Sequence, residues 1–168
     1  MVRFCASAKG AFSGPGWSAP CTLGRSGVIA DAKKREGDGM SPLGTYPLRG
    51  VFYRPDRVAP PLTGLPSVPL AAHDGWCDAP DHPLYNRPVS LPFAASHERL
   101  WREDHVYDLI VTIGHNDDPV RPGAGSAIFI HLMREDGAPT EGCIALKSGD
   151  LLRLLAEAIP GSSLTISD

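Results

Sequence analysis

Glycine and proline interrupt this chain at short intervals and separate its runs of apolar residues. The 168 residues include 18 glycines and 17 prolines, both above average usage, yet neither is gathered into a low-complexity tract. Apolar runs bounded in this way are typical of short strands joined by turns. The pattern predicts a mainly β fold, a sandwich-like or partly closed mixed sheet with one or two short helices. No repeat or linker divides the chain, so we expect one domain over residues 1–168.

The apolar runs and the turn residues between them predict the order of elements. Strands are predicted at residues 1–5, 19–23, 45–53, 106–114, 127–132 and 163–167. A turn is predicted at residues 41–44, and residues 94–103 have the composition of a short helix or turn. A second helix is predicted after Ser148, a good N-cap, because leucines at positions 151, 152, 154 and 155 recur at helical spacing.

Residues 128–146 hold a histidine, a threonine and a cysteine close together in sequence. The strand predicted at residues 127–132 carries His131 at its far end, and a turn returns the chain to Cys143. Two antiparallel segments joined in this way can bring the two side chains together. A neighbouring imidazole can take the proton of a thiol and leave a thiolate nucleophile. Gly142 lacks a Cβ, so the amides of Gly142 and Cys143 could stabilise an oxyanion.

A structural interpretation of the same residues stays open. A cysteine beside an apolar segment is more often an inert core residue, and a histidine at a strand end is usually only hydrogen-bonded. His115, at the end of another predicted strand, is a rival to His131 for the role of base, or else a groove residue or a hydrogen-bonded turn residue. The group that orients the base is not visible in the sequence, although a backbone carbonyl would suffice.

The block Pro139-Thr140-Glu141-Gly142-Cys143-Ile144-Ala145-Leu146, preceded by His131, resembles the active-site signature of the YkuD-type L,D-transpeptidases. That signature is a histidine, then a Ser/Thr-x-Gly-Cys block, then an aliphatic residue. Two upstream blocks, residues 21–27 and 34–48, resemble the short stand-alone bacterial members. Two features depart from the pattern. Ala145 stands where many members have Arg or Asn, and the interval from His131 to Cys143 is shorter than in the better-known members.

The resemblance implies a cysteine-dependent peptidoglycan L,D-transpeptidase that needs no metal and no organic cofactor. Cys143 would attack a carbonyl of a donor stem peptide and pass the acyl group to an amine of an acceptor stem. His131 would act as the base, with Gly142 and Thr140 as oxyanion and active-site support. The linkage stays open: L-alanine to meso-diaminopimelate, as in a divergent short branch, or diaminopimelate to diaminopimelate.

Two other functions stay open at this point. Water in place of the acceptor amine would make the protein an L,D-carboxypeptidase or an amidase that hydrolyses the same acyl-enzyme. The balance depends on how well the site excludes water, which a sequence does not show. A wall-binding module without turnover is the third alternative, and an intact His131, Gly142 and Cys143 argue against it.

Residues 73–89 are crowded with polar and aromatic groups, as loops that bind ligands often are. They predict a lid over a peptide groove, with an inert surface loop as the alternative. The candidate substrate contacts in this segment are Trp76, Tyr85, Asn86 and Arg87. Arg25, between glycines, could clamp a substrate carboxylate or could be a solvated turn residue. The segment has no paired Cys-x-x-Cys, so no metal site is expected.

The remaining features bear on partners and location. A net charge of −3 and scattered Lys and Arg give no indication of a nucleic-acid partner. No stretch approaches the ~20 apolar residues of a membrane span. We expect a monomer. Peptidoglycan lies outside the cytoplasmic membrane, so the function predicts the periplasm or cell envelope, yet no signal peptide is visible and the export route stays open. Cys5 and Cys21 flank a predicted turn at residues 11–16 and could form a disulfide or remain free.

Overall fold

The computed structural model describes all of residues 1–168, and the chain is built mainly of short strands. The strands are β1 (Arg3–Ser7), β2 (Ala11–Gly14), β3 (Trp17–Thr22), β4 (Val28–Ala30), β5 (Ser41–Tyr53), β6 (Ser67–Pro69), β7 (Asp74–Cys77), β8 (Pro88–Ser90), β9 (His97–Arg99), β10 (Leu109–Ile113), β11 (Phe129–Leu132), β12 (Ile144–Leu146) and β13 (Ser163–Ser167). The helices are a 3-10 helix (Asp31–Lys33) and α1 (Ser148–Glu157). This architecture confirms the predicted mainly β fold.

Two long strands bend the main sheet into a closed sandwich. β5 pairs with β13 through residues 44–47 and with β10 through residues 48–53. β3 pairs with β2 through residues 17–20 and with β12 through residues 21–22. The strand order β10-β11-β12-β3-β2-β1-β13-β5, with β5 paired back to β10, therefore forms a ring of mixed parallel and antiparallel strands. Closure leaves these eight strands without a free edge.

The main core fills the inside of this closed sandwich. It holds 23 buried apolar residues, and α1 contributes Leu151, Leu154 and Leu155 to it. Each buried leucine of this kind stabilises the fold by about 2 kcal/mol. The helix begins at Ser148, so Lys147 and not the predicted Ser148 is the N-cap residue. With 10 residues, α1 is also too short to cross a bilayer, and no helix is long and apolar enough to do so.

A smaller sheet, β8-β7-β9, covers the outer face of β10 and β11. A second core of eight buried residues lies there, and it includes Leu100, Tyr107, Phe129 and Cys143. The helix or turn predicted at residues 94–103 is wrong, because β9 pairs with β7 and this tertiary pairing overrides the local helix propensity. Residues 73–89, predicted as a loop or lid, likewise contain β7 and the start of β8.

The N-terminal region differs from its prediction in one way that bears on the cysteines. The predicted turn at residues 11–16 contains β2, which lies between β1 and β3 in the sheet. Cys5 is exposed and pairs with Ser13, whereas Cys21 is buried one strand further on, beside β12. The two thiols are therefore free and not bonded to each other. The turn predicted at residues 41–44 is the first part of β5.

Candidate active site

β11 and β12 place the central histidine and cysteine on one face of the sheet. The two strands are parallel and not antiparallel as predicted, because residues 133–143 cross over between them and bridge to Gly24 on the way. The register sets His131 opposite Ala145. Side chains two residues apart in a strand share a face, so Cys143 projects from the same face as His131, diagonally across from it.

A cavity of about 430 Å³ opens on this face. Its walls come from the small sheet, the turn before β12 and the loop that precedes β5. The lining includes His131 and Cys143, together with Glu98, Tyr107 and Thr140. The strand pairing and the small sheet thus produce a single pocket with a thiol and an imidazole in its wall.

His131 is buried, and a backbone carbonyl orients it. Its Nδ1 lies 2.9 Å from the Leu132 oxygen, which can only accept, so Nδ1 carries the proton and Nε2 is left with a free lone pair. Burial lowers the pKa of His131 to about 4, and the positive charges of Arg102 and Arg134 act in the same direction. The ring is therefore neutral at pH 7, which is the form that a general base requires.

Cys143 is buried as a neutral thiol. Its Sγ donates to the Ala127 oxygen at 3.1 Å and accepts from the Phe129 amide at 3.3 Å. Burial raises the pKa of Cys143 to about 12, and the nearby Glu98 carboxyl raises it further. In this state the thiol proton points at the Ala127 oxygen and not at His131.

Thr140 and Gly142 shape the backbone before the cysteine. Thr140 Oγ1 donates to the Cys143 oxygen at 2.6 Å and accepts from the Gly142 amide at 3.1 Å. Gly142 has φ +134°, and a Cβ there would lie 2.8 Å from the Met40 oxygen, so no larger residue fits without a shift. The Gly142 amide is thus already bonded, whereas the Cys143 amide donates to no group of the protein. Of the two predicted oxyanion donors, only Cys143 N–H is available.

Arg25 lies outside the cavity. Its Nε is 3.0 Å from both carboxylate oxygens of Glu141, and both side chains are largely exposed. Its backbone amide donates to the Thr140 oxygen at 2.7 Å. The structure therefore ties Arg25 to the turn before Cys143 through its main chain, while its guanidinium forms a surface ion pair.

The four predicted substrate contacts in residues 73–89, the small-sheet segment, do not line the cavity either. Their side chains form hydrogen bonds elsewhere in the protein. Trp76 donates to Asn86, which also accepts from the Ala127 amide at 3.0 Å. Tyr85 donates to Glu36, and Arg87 donates to the Asp117 oxygen. Two of them still reach the cavity wall: Asn86 holds the amide of Ala127, whose carbonyl accepts the thiol proton, and Tyr85 bonds Glu36, which lines the cavity.

His115 is also remote from the cavity. Its Nε2 lies 3.2 Å from the Ala124 oxygen, and its ring meets Tyr46 edge-on at 5.4 Å. Of the three interpretations offered for it, the geometry fits a hydrogen-bonded histidine of the turn after β10. Burial lowers its pKa as well, despite the opposite influence of Asp31.

Sequence reasoning missed several residues of the cavity wall. Glu98 and Arg102 come from the segment predicted as a helix or turn, and Tyr107 and Asp78 come from its two sides. The pairing of β7 with β9 sets Glu98 beside the end of β7, which Asp78 follows, and no local pattern signals that pairing. No group of three or more His, Cys, Asp or Glu side chains that could hold a metal ion occurs.

The model of the family described as the YkuD L,D-transpeptidase catalytic domain matches residues 11–166. Mycobacterium tuberculosis L,D-transpeptidase 1 has a TM-score of 0.46 and 12% identity, with 100% of this chain and 62% of that chain covered. An L,D-transpeptidase from Mycobacterium smegmatis has a TM-score of 0.42 and 11% identity, with 99% and 58% covered.

The present chain thus spans about three fifths of these two solved chains, and scores this low support no argument about function. No match was found among curated proteins. The family model carries the assignment, since its match includes the two strands and the turn that form the cavity. The chain therefore belongs to the family of L,D-transpeptidase catalytic domains.

Proposed function

We propose that this protein is a peptidoglycan L,D-transpeptidase, with residues 1–168 as one catalytic domain. In this proposal Cys143 is the nucleophile and His131 is the base. The observation that supports it is the shared cavity, where the thiol and an imidazole with a free Nε2 project from the same sheet face. Family membership supplies the reaction class, and the cavity supplies a place for a peptide.

The first half of the reaction forms a thioester. Cys143 Sγ attacks a carbonyl carbon of the donor stem, and its proton passes to His131 Nε2. The negative charge that develops on the carbonyl oxygen is stabilised by the free Cys143 amide. The carbon–nitrogen bond then breaks, and His131 returns the proton to the departing amine. With the thiol pKa about 12 and the imidazole pKa about 4, proton transfer has to accompany the attack and not precede it.

The second half of the reaction transfers the acyl group. An amine of the acceptor stem attacks the thioester, His131 takes a proton from it, and the Cys143 thiol is restored. The bond formed joins L-alanine to meso-diaminopimelate, or alternatively two diaminopimelate residues. Such a reaction takes place in the periplasm or cell envelope, where the stems are.

Mass spectrometry of purified stem peptides tests the proposal. The protein, the variant Cys143→Ala and the control Cys5→Ala, which removes an exposed thiol far from the cavity, are each incubated with the stems. A new dimer with the protein and with Cys5→Ala, but not with Cys143→Ala, is expected, and its fragmentation identifies the linked residues. Shortened monomers in place of dimers would replace the transpeptidase with a hydrolase. Dimers from Cys143→Ala would overturn the mechanism.

A further inference from the structure

The plane of the His131 ring needs more than the hydrogen bond described above. The contact between Nδ1 and the Leu132 oxygen fixes the tautomer and one point of the ring. A single hydrogen bond of this kind still allows the ring to tilt about the donor–acceptor line. For Nε2 to accept the proton of the Cys143 thiol, another group has to restrain the His131 ring.

Tyr107 provides a second contact. Its buried ring meets the His131 ring edge-on, with the centroids 5.4 Å apart and the planes at 71°. Edge-to-face pairs of this geometry are favourable and directional. The Arg102 guanidinium also lies over the Tyr107 ring, 5.3 Å from its centroid, and Asp104 holds that guanidinium through two oxygens. The Tyr107 ring therefore contacts both the base and a cation that Asp104 holds.

The hydroxyl of Tyr107 donates a hydrogen bond to Glu98. Glu98 belongs to β9 in the small sheet, and its side chain lines the cavity beside Cys143. Simple packing against His131 would need only a phenylalanine, which carries no buried hydroxyl to satisfy. A hydroxyl bonded to a carboxyl of another sheet fixes the far end of the Tyr107 side chain and joins the small sheet to the residue that contacts the base.

We propose that Tyr107, held by Glu98, is a positioning residue that fixes the imidazole plane of His131 in the reaction cavity. The inference rests on the proposed role of His131 as the base. Neither side chain takes part in bond making. The pair acts by keeping Nε2 directed at the Cys143 side of the cavity, so its loss weakens the base without removing it.

Alkylation of Cys143 by iodoacetamide, followed by mass spectrometry from pH 5 to pH 10, tests the inference without any peptide substrate. Assistance by His131 should give a rate that changes little with pH near neutrality. Without that assistance the rate should rise about tenfold per pH unit as thiolate forms. We expect Tyr107→Phe and Glu98→Ala to be about tenfold slower at pH 7, and to begin their steep rise about one pH unit lower than the wild type, since a misplaced base loses part of its 10²–10⁴-fold effect.

Two variants separate positioning from a structural or charge effect. Glu98→Gln keeps an acceptor for the Tyr107 hydroxyl, so it should restore the flat profile. Tyr46 is the matching tyrosine beside His115, and its ring also lies 5.4 Å from that of its histidine. Tyr46→Phe removes its hydroxyl and should leave the pH profile of Cys143 alkylation unchanged. Thermal unfolding confirms that each variant is folded.

Three results would overturn the inference. The first is a Tyr107→Phe variant whose alkylation rate depends on pH as in the wild type, while His131→Ala has lost the pH-independent region. Another is a Glu98→Gln variant as impaired as Glu98→Ala, and the third is an equal loss in Tyr46→Phe. A flat profile in His131→Ala would instead remove His131 as the base, so failure of the proposed function is told apart from failure of this inference.

Discussion

His131 and His115 are alike in almost every local property. Each follows or ends a buried strand of the main sheet, and each is itself buried. Each meets a tyrosine edge-on at 5.4 Å, and burial lowers the pKa of both. None of these properties distinguishes a base from a structural histidine, and only the motif around Cys143 favours His131.

Antiparallel pairing separates them. His131 pairs with Ile110 near the start of β10, whereas His115 lies beyond the end of that strand. Five residues of strand correspond to about 17 Å, so the two histidines sit at opposite ends of the strand pair. Only His131 meets the cavity with Cys143. The two histidines therefore differ in their access to the cavity, and not in burial, aromatic contact or the direction of their pKa shifts.

The largest expected effect comes from exchanging each histidine for alanine. His131→Ala should lower the rate of dimer formation by about 10²–10⁴-fold, because the base is lost. His115→Ala, its matched control, should change that rate by less than about threefold once the folded fraction is equal. Initial rates measured by mass spectrometry check both. An equal loss in the two variants would remove the distinction.

The second expected effect is on the pH dependence of acylation. The pKa of His131 is about 4, so the acid limb of the rate should fall near pH 4 and not near pH 6.5. Single-turnover acylation by a donor stem from pH 3.5 to pH 8 measures this limb, and His115→Ala should share it. A limb near pH 6.5 would show that the base is more exposed to solvent than His131 is in this structure.

The third expected effect is on stability. The pKa of His131 is lower in the folded state than in the unfolded state, so between pH 6.5 and pH 4 the unfolded chain binds more protons. Stability therefore falls as the pH falls through this window, by about 2 kcal/mol from His131 between pH 7 and pH 5. Urea unfolding at the two pH values should show a smaller fall in His131→Gln. The lowered pKa of His115 acts with the same sign, so an unchanged fall in His131→Gln would assign the effect to His115.

The smallest expected effect concerns Arg25. Its ion pair with Glu141 is exposed at both ends, and such pairs contribute about 0–1 kcal/mol. Arg25→Ala should therefore change the rate of dimer formation by less than about twofold. A loss greater than tenfold, seen as a raised KM, would return Arg25 to the role of a carboxylate clamp for the substrate.

The sequence predicted the parts of the molecule that local patterns determine. Strands β10, β11 and β13 and the leucine face of α1 follow from periodicity. The family follows from the motif around Cys143 and from two upstream blocks. The parallel pairing of β11 with β12 could not be predicted, because it depends on the path of residues 133–143 over Gly24. The role proposed for Tyr107 was equally hidden, since Glu98 reaches it only through the small sheet.

The same limit applies to the residues of the small-sheet segment. A polar and aromatic composition is shared by substrate loops and by loops whose side chains hold the protein together. Asn86 belongs to the second kind here: it bonds Trp76 and the Ala127 amide, as well as the carbonyls of His115 and Asn116. Composition alone does not separate the two, because all of these partners except Trp76 lie about 30 to 40 residues away in sequence.

Formation of the acyl-enzyme tests the central claim most directly. A donor stem peptide is mixed with the protein in the absence of any acceptor amine, and the reaction is quenched with acid. Mass spectrometry then gives the masses of the intact protein and of its proteolytic peptides. The account predicts a mass gain equal to the donor minus its leaving group, located on Cys143, in the wild type and in His115→Ala. It predicts a much slower gain in His131→Ala. An adduct on another residue, or an equally fast adduct without His131, would contradict it.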